Sequence, residues 1–186
     1  MLVLLVRHGH AGSKASWRGD DRLRPLSARG AEEAAALVDI LRPYGPVRVV
    51  SSPLLRCVQT VEPLATALGV PVEQSARLGP ESPKQAAGFL RDLAEGPGPV
   101  VACTHGEVIE VVQAGYPPRR VRGAKATARA KGSTWVLEYA GRRLRSARYL
   151  PAPRIGAVPA APVAAAPIEA TPAAATPVAA AAGGGS

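Results

Sequence analysis

Short apolar runs alternate along the chain with longer stretches whose apolar residues recur at helical spacing. Leu2–Val6 and Val100–Cys103 are unbroken apolar runs of strand length, and Val47–Val50 is a third, interrupted only by Arg48. Such runs suit strands covered on both faces. Between them lie helical patterns with recognisable ends. Ser27 is placed to cap a helix running to about Leu41, which Pro43 stops. Ser52-Pro53 reads as N-cap followed by the first helical residue, for a helix to about Leu68 with Gly69 just beyond it. Ser82-Pro83 repeats that start signal, with Gly96 at the far end, and Gly106–Ala114 reads as a helix directly after the third strand. Trp135–Tyr139 and Leu144–Tyr149 flank the turn Ala140-Gly141-Arg142-Arg143 and predict a late hairpin.

Strand–helix alternation predicts an α/β domain: a three-layer α/β/α sandwich on a mostly parallel central sheet. In such sheets ligands bind beyond the carboxyl ends of the strands. The first strand ends at Arg7-His8-Gly9, the second at Ser51-Ser52 on the way to Arg56, and the third at Thr104-His105-Gly106. Topology alone therefore gathers two histidines and two arginines at one edge.

Composition sharpens the boundaries. Residues 1–150 carry the element pattern, whereas residues 151–186 hold 15 Ala and 7 Pro and end in Gly183-Gly184-Gly185-Ser186. That segment is expected to be a disordered Ala/Pro-rich tail, since proline interrupts helices and nothing aromatic is present to seed a core. The N-terminal apolar run is too short for a signal peptide and no stretch is long enough to span a membrane, so a cytoplasmic protein is expected. Cys57 and Cys103 are too few for a disulfide framework or a structural zinc site and are read as packing residues. The net charge of +9 arises entirely from residues 113–148, with ten basic residues against Glu138. Within it, Arg119, Arg120, Arg122, Lys125, Arg129 and Lys131 lack interleaved aromatics, which disfavours a nucleic-acid partner and favours steering of acidic or phosphorylated ones.

The edge constellation fits phosphoryl chemistry. Neutral imidazole is a competent nucleophile near neutral pH. Arginine offers a planar fork of donors that keeps its charge. Arg56, in the first turn of its helix, adds the exposed N–H groups of a helix start. Glycine after each histidine allows the backbone to approach a ligand closely. A His-x-His pair at His8 and His10 could in principle ligate metal. With only three histidines and no clustered carboxylates, His10 is placed on the pocket rim and no metal or other cofactor is expected.

These residues resemble the motifs of the histidine phosphatase superfamily, the phosphoglycerate mutase-like proteins. Leu5-Val6-Arg7-His8-Gly9-His10 resembles its Arg-His-Gly signature. Ser51-Ser52-Pro53-Leu54-Leu55-Arg56-Cys57-Val58-Gln59-Thr60 resembles the motif that supplies a second phosphate-binding arginine, and Cys103-Thr104-His105-Gly106 the motif with the second histidine. Arg24-Pro25-Leu26-Ser27, followed by Gly30, resembles the segment that opens the first helix. The compact size resembles SixA-type phosphohistidine phosphatases. The runs Trp17–Leu26 and Thr104–Ile109 resemble the histidine phosphatase domains fused to bacterial Nudix hydrolases, of which this chain would be a free-standing relative.

The resemblance implies a metal-independent phosphatase. His8 would take the phosphoryl group, Arg7, Arg56 and His105 would hold its oxygens, and water would release phosphate. Glu81 is the candidate acid for the leaving group, with Asp20 and Asp21 as competitors. Gly9, Arg24, His10 and Trp17 are expected to line the substrate site. Trp17 could stack on a nucleobase or anchor the long segment from Ala11 to Arg24, and Arg24 could reach phosphate or sit at the surface. A phosphohistidine protein, a small phosphomonoester and a nucleotide phosphate are all compatible substrates. The alternatives are a non-catalytic phosphate-binding module and a basic scaffold protein.

Overall fold

A computed structural model of the chain describes residues 1–115, 121–122 and 128–155. Its strands are β1 (Leu2–Arg7), β2 (Arg48–Ser51), β3 (Val72–Gln74), β4 (Val100–Thr104), β5 (Val121–Arg122), β6 (Thr134–Ala140) and β7 (Arg143–Leu150). They form one sheet in the order β3-β2-β4-β1-β6-β7-β5. Pairing is parallel except where β6 meets β1 and β7, so β6 alone runs against the others. The helices are α1 (Ala28–Leu41), α2 (Leu55–Leu68), α3 (Pro83–Leu93) and α4 (Gly106–Ala114).

Alternation along the strands builds the layers. In β1, Leu4 and Val6 point to one face and Val3 and Leu5 to the other, as the two-residue period requires. Leu4, Val6, Val49, Val101 and Cys103 pack under α1 and α2 against Leu37, Leu41, Val61 and Leu64. Val3, Leu5, Val50, Val100 and Ala102 pack under α3 and α4 against Phe89, Leu90, Ile109 and Val112. The result is the expected three-layer α/β/α sandwich on a mostly parallel sheet. Few aromatics are available, and Trp135, fully buried on β6, is the largest side chain in the core.

Strands β3 and β5 and the start of α2 differ from the sequence reading. Strand β3 has no apolar run, because it is a sheet edge of three residues with Glu73 and Gln74 exposed. Helix α2 starts at Leu55 rather than Pro53, and Leu54 occupies the cap position. Ser52 lies two residues before that cap, its hydroxyl 3.5 Å from the Leu54 amide and bonded to a histidine in the site below. The start of α1 follows expectation: Ser27 Oγ accepts from the Gly30 amide. The basic positions Arg119, Arg120 and Lys125, and the tail beyond Ile155, lie outside the described residues.

Candidate active site

The carboxyl ends of β1, β2 and β4 meet at His8, Ser52 and His105. The His8 and His105 rings are buried and meet edge to face, with centroids 5.3 Å apart. His8 Nδ1 lies 2.8 Å from the Gly9 carbonyl oxygen. A carbonyl only accepts, so Nδ1 carries the proton and Nε2 presents its lone pair. His105 has the other tautomer. Its Nδ1 faces Arg56 Nη2 at 3.5 Å, and a guanidinium only donates. His105 Nε2 therefore donates to Ser52 Oγ at 2.8 Å. Burial pushes both imidazoles down to about 3, the nearby Arg56 and Arg7 charges adding to it at both rings and Lys131 at His8. Both rings are thus neutral at neutral pH.

The guanidiniums are held by backbone. Arg7 Nη1 donates to the Arg129 carbonyl, and the Arg7 side chain lies against Gly106, where an added Cβ would stand 3.0 Å from Cζ. Glycine at the start of α4 therefore makes room for a guanidinium. Arg56 Nη1 donates to the Asp21 carbonyl at 2.7 Å, and Nη2 pairs with the Asp21 carboxylate at 3.2 Å. The Nε atoms of Arg7 and Arg56 are buried with no partner among the described residues. A buried donor without a partner is costly and calls for an acceptor. Both belong to the two arginines that flank the paired histidines.

The other expected residues divide. Gly9 donates its amide to Thr60 Oγ1 at 3.0 Å, which ties the turn after His8 to α2. Arg24 is buried; its Nε bonds Asp21 at 2.7 Å and Nη1 bonds the Ala11 carbonyl. His10 is half-buried, its amide on Glu33 Oε2 at 2.7 Å and its Nδ1 2.8 Å from Ser27 Oγ. Trp17 is exposed and its indole donates to the Asp20 carbonyl, closing its own loop. Glu81 is exposed beside Gly79 and makes no hydrogen bond or ion pair among the described residues. Burial raises the Asp21 carboxyl, but the Arg24 hydrogen bond and the charges of Arg56 and Arg24 outweigh it and hold the group below its ordinary range. Hydrogen bonds from Arg22 lower Asp20 in the same sense. Both aspartates are thereby suited to hold arginines rather than to donate a proton.

Sequence reasoning passed over Ser52, Thr60, Asp21 as a bridge, Glu33 and Lys131 as site residues. Ser52 and Thr60 stand inside the quoted motif, so their position was visible although their partners were not. Asp20, Arg22, Leu23, Leu54, Val58 and Gln74 are among the residues that line a groove of about 460 Å³, which neither histidine lines. It opens between the 3-10 turn at Asp21–Leu23 and the start of α2, next to Arg56.

Residues 3–79 match the family description "Histidine phosphatase superfamily (branch 1)". Over those residues the chain is similar to the histidine phosphatase superfamily. It is 39% identical over 155 residues to an 8-oxo-(d)GTP phosphatase of Mycolicibacterium smegmatis, a match covering 81% of this chain and 48% of that protein. The chain thus spans about half the length of that curated relative. Among solved structures it is similar to a protein histidine phosphatase SixA complexed with tungstate, with TM-score 0.63, 22% identity, and coverage of 81% of this chain and 94% of that one. A SixA homologue from Agrobacterium tumefaciens gives TM-score 0.59, 22% identity, and coverage of 81% and 97%. At that identity the likeness establishes a common fold. No helix among the described residues is long and apolar enough to cross a membrane.

Proposed function

We propose that the chain is a metal-independent phosphatase in which His8 Nε2 forms a covalent phosphohistidine. The observation that carries this reading is the lone pair of a neutral His8 Nε2, set beside His105 and within reach of the charges of Arg7 and Arg56, whose buried Nε groups have no partner among the described residues. Nε2 attacks phosphorus, the bond to the leaving group breaks, and its electron pair departs with that group. Water then attacks the phosphorus, the P–N bond breaks back onto Nε2, and phosphate leaves. Arg7, Arg56 and His105 hold the equatorial oxygens, and Arg24 stands behind them through Asp21. Catalysis rests on alignment and charge stabilisation by groups already in place.

Burial serves the first step directly. A protonated imidazole has no lone pair at Nε2, and the site keeps His8 neutral by excluding water and surrounding it with positive charge. The same surroundings stabilise the phosphorylated ring, which adds negative charge next to Arg7 and Arg56. The identity of the proton donor is a proposal of its own: Glu81 stands in the loop before α3 and carries no competing ion pair among the described residues. Glu81→Gln is expected to slow turnover of alkyl phosphates, whose leaving groups need a proton, more than that of p-nitrophenyl phosphate. Equal slowing of the two would remove Glu81 from this role.

The relatives support two substrate classes. One is an 8-oxo-(d)GTP phosphatase and others are SixA phosphohistidine phosphatases, so nucleotide phosphates and phosphohistidine proteins head the list, with small phosphomonoesters beside them. A panel of p-nitrophenyl phosphate, nucleoside phosphates and a phosphohistidine protein, assayed with chelator present, tests the reading. Wild type is expected to turn over at least one member and His8→Ala none. Full activity in His8→Ala, or loss of all activity on chelation, would contradict it.

A further inference from the structure

Lys131 was read from the sequence as one charge of a basic segment, but the fold ties the turn that carries it to the end of β1 at Arg7 and His8. Residues 128–133 are fastened at many points to the end of β1. The Gly132 amide reaches both the Arg7 and the His8 carbonyl oxygens at 3.1 Å, and the Arg7 amide donates to the Ser133 carbonyl at 2.9 Å. Ser133 closes the turn onto the Ala130 carbonyl through its amide at 3.1 Å and its hydroxyl at 2.6 Å. Gly132 has φ +74°, which glycine adopts without strain, so the turn is built into the sequence. Further back, Trp135 Nε1 and Gln113 Nε2 both hold the Ala128 carbonyl, and the Arg129 carbonyl takes Arg7.

Lys131 is the second residue of that turn, half-buried, and makes no hydrogen bond or ion pair with any described residue. Its ammonium is near enough to Arg7, Arg24 and Arg56 for all three charges to act on it. The one acid that acts on it is Glu33, whose oxygens already hold the His10 amide and Arg29 Nε. Asp21, the other acid of the site, is taken by Arg24 and Arg56. Arg24 is taken by Asp21 and the Ala11 carbonyl, and Arg7 and Arg56 serve the transferred phosphoryl group, which leaves Lys131 as a further cation.

We propose that Lys131 binds a second anionic group of the substrate, next to the transferred phosphoryl group, and so selects pyrophosphate-linked substrates over simple monoesters. This rests on the phosphatase reading above. With a nucleoside diphosphate, His8 Nε2 attacks the β-phosphorus and the bond from that phosphorus to the bridging oxygen breaks. The electron pair stays on the oxygen, and the nucleoside monophosphate leaves with its added charge facing the Lys131 ammonium. Such a leaving group is stable as an anion, which fits a site whose nearest carboxylates are held ionised by arginines.

The test compares wild type, Lys131→Met and Lys131→Arg on adenosine 5′-diphosphate and p-nitrophenyl phosphate, with pyrophosphate and orthophosphate as inhibitors. The ratio of kcat/KM for the diphosphate to that for the monoester is expected to fall about 10- to 100-fold in Lys131→Met, as loss of a charged hydrogen bond dictates. The inhibition constant of pyrophosphate should rise relative to that of orthophosphate, and Lys131→Arg should recover most of both. A ratio unchanged in Lys131→Met, or a wild type that hydrolyses the monoester but not the diphosphate, overturns the proposal and leaves the phosphatase reading standing. A wild type that hydrolyses neither, nor any phosphohistidine, overturns both.

Discussion

His8 and His105 share burial and differ in tautomer, and that difference fixes what each can do. The Gly9 carbonyl holds the proton of His8 on Nδ1, and Ser52 holds the proton of His105 on Nε2. The serine hydroxyl is the weaker of these restraints to lose, since Cys57 Sγ at 3.4 Å is the other neighbour of that nitrogen. Ser52→Ala is expected to lower kcat by roughly 10-fold with a smaller effect on KM, because the ring is no longer held in one tautomer and orientation. Steady-state kinetics would show this, and an unchanged kcat would mean that Ser52 does not position His105. Sequence reading saw Ser52 in the right motif and gave it the wrong task. A serine before a proline and an apolar run has the pattern of a helix cap, and only the approach of β2 to β4 reveals that its hydroxyl is spent on a histidine.

At the scale of elements, the site depends on α1 pressing its first turn onto the chain after β1. Gly30 lies so close that an added Cβ would stand 2.0 Å from the His10 carbonyl oxygen, and the Ser27 amide bonds that same oxygen at 2.9 Å. Gly30→Ala must move either α1 or the His8–His10 turn. The expected cost is about 1–3 kcal/mol of stability, the range for overpacking a filled site, together with reduced turnover. Urea denaturation and activity on the same preparation would measure both. Most elements were legible because strand runs, helix starts and glycine stops coincide in this sequence. Strand β3 was not, since an edge strand with exposed Glu73 and Gln74 gains its place from pairing with β2 and not from its own pattern. The role of Lys131 was also hidden, because it depends on a turn that returns to β1 from more than a hundred residues away.

For the whole molecule, two buried imidazoles make stability depend on pH. Each has a folded pKa of about 3 against an ordinary value of 6.5. Between those values the unfolded chain binds more protons than the folded one. Stability from this source is therefore complete above about pH 6.5 and declines as the pH falls towards 3. Urea midpoints at pH 7, 5 and 4 should drop in wild type and drop less in His105→Gln. A slope identical in the two proteins would mean that His105 is not held neutral by the fold. The charge distribution acts at the same scale. The excess of basic residues in 113–148 predicts that kcat/KM for anionic substrates falls with rising salt, and a flat dependence would remove electrostatic steering.

The most direct test is to mix the enzyme with a phosphorus-32-labelled substrate, quench it in alkali within its first turnovers, and locate the label. Acid-labile, alkali-stable radioactivity is expected on the peptide containing His8, and none in His8→Asn. Turnover without any label on that peptide, or label on another residue, would contradict it.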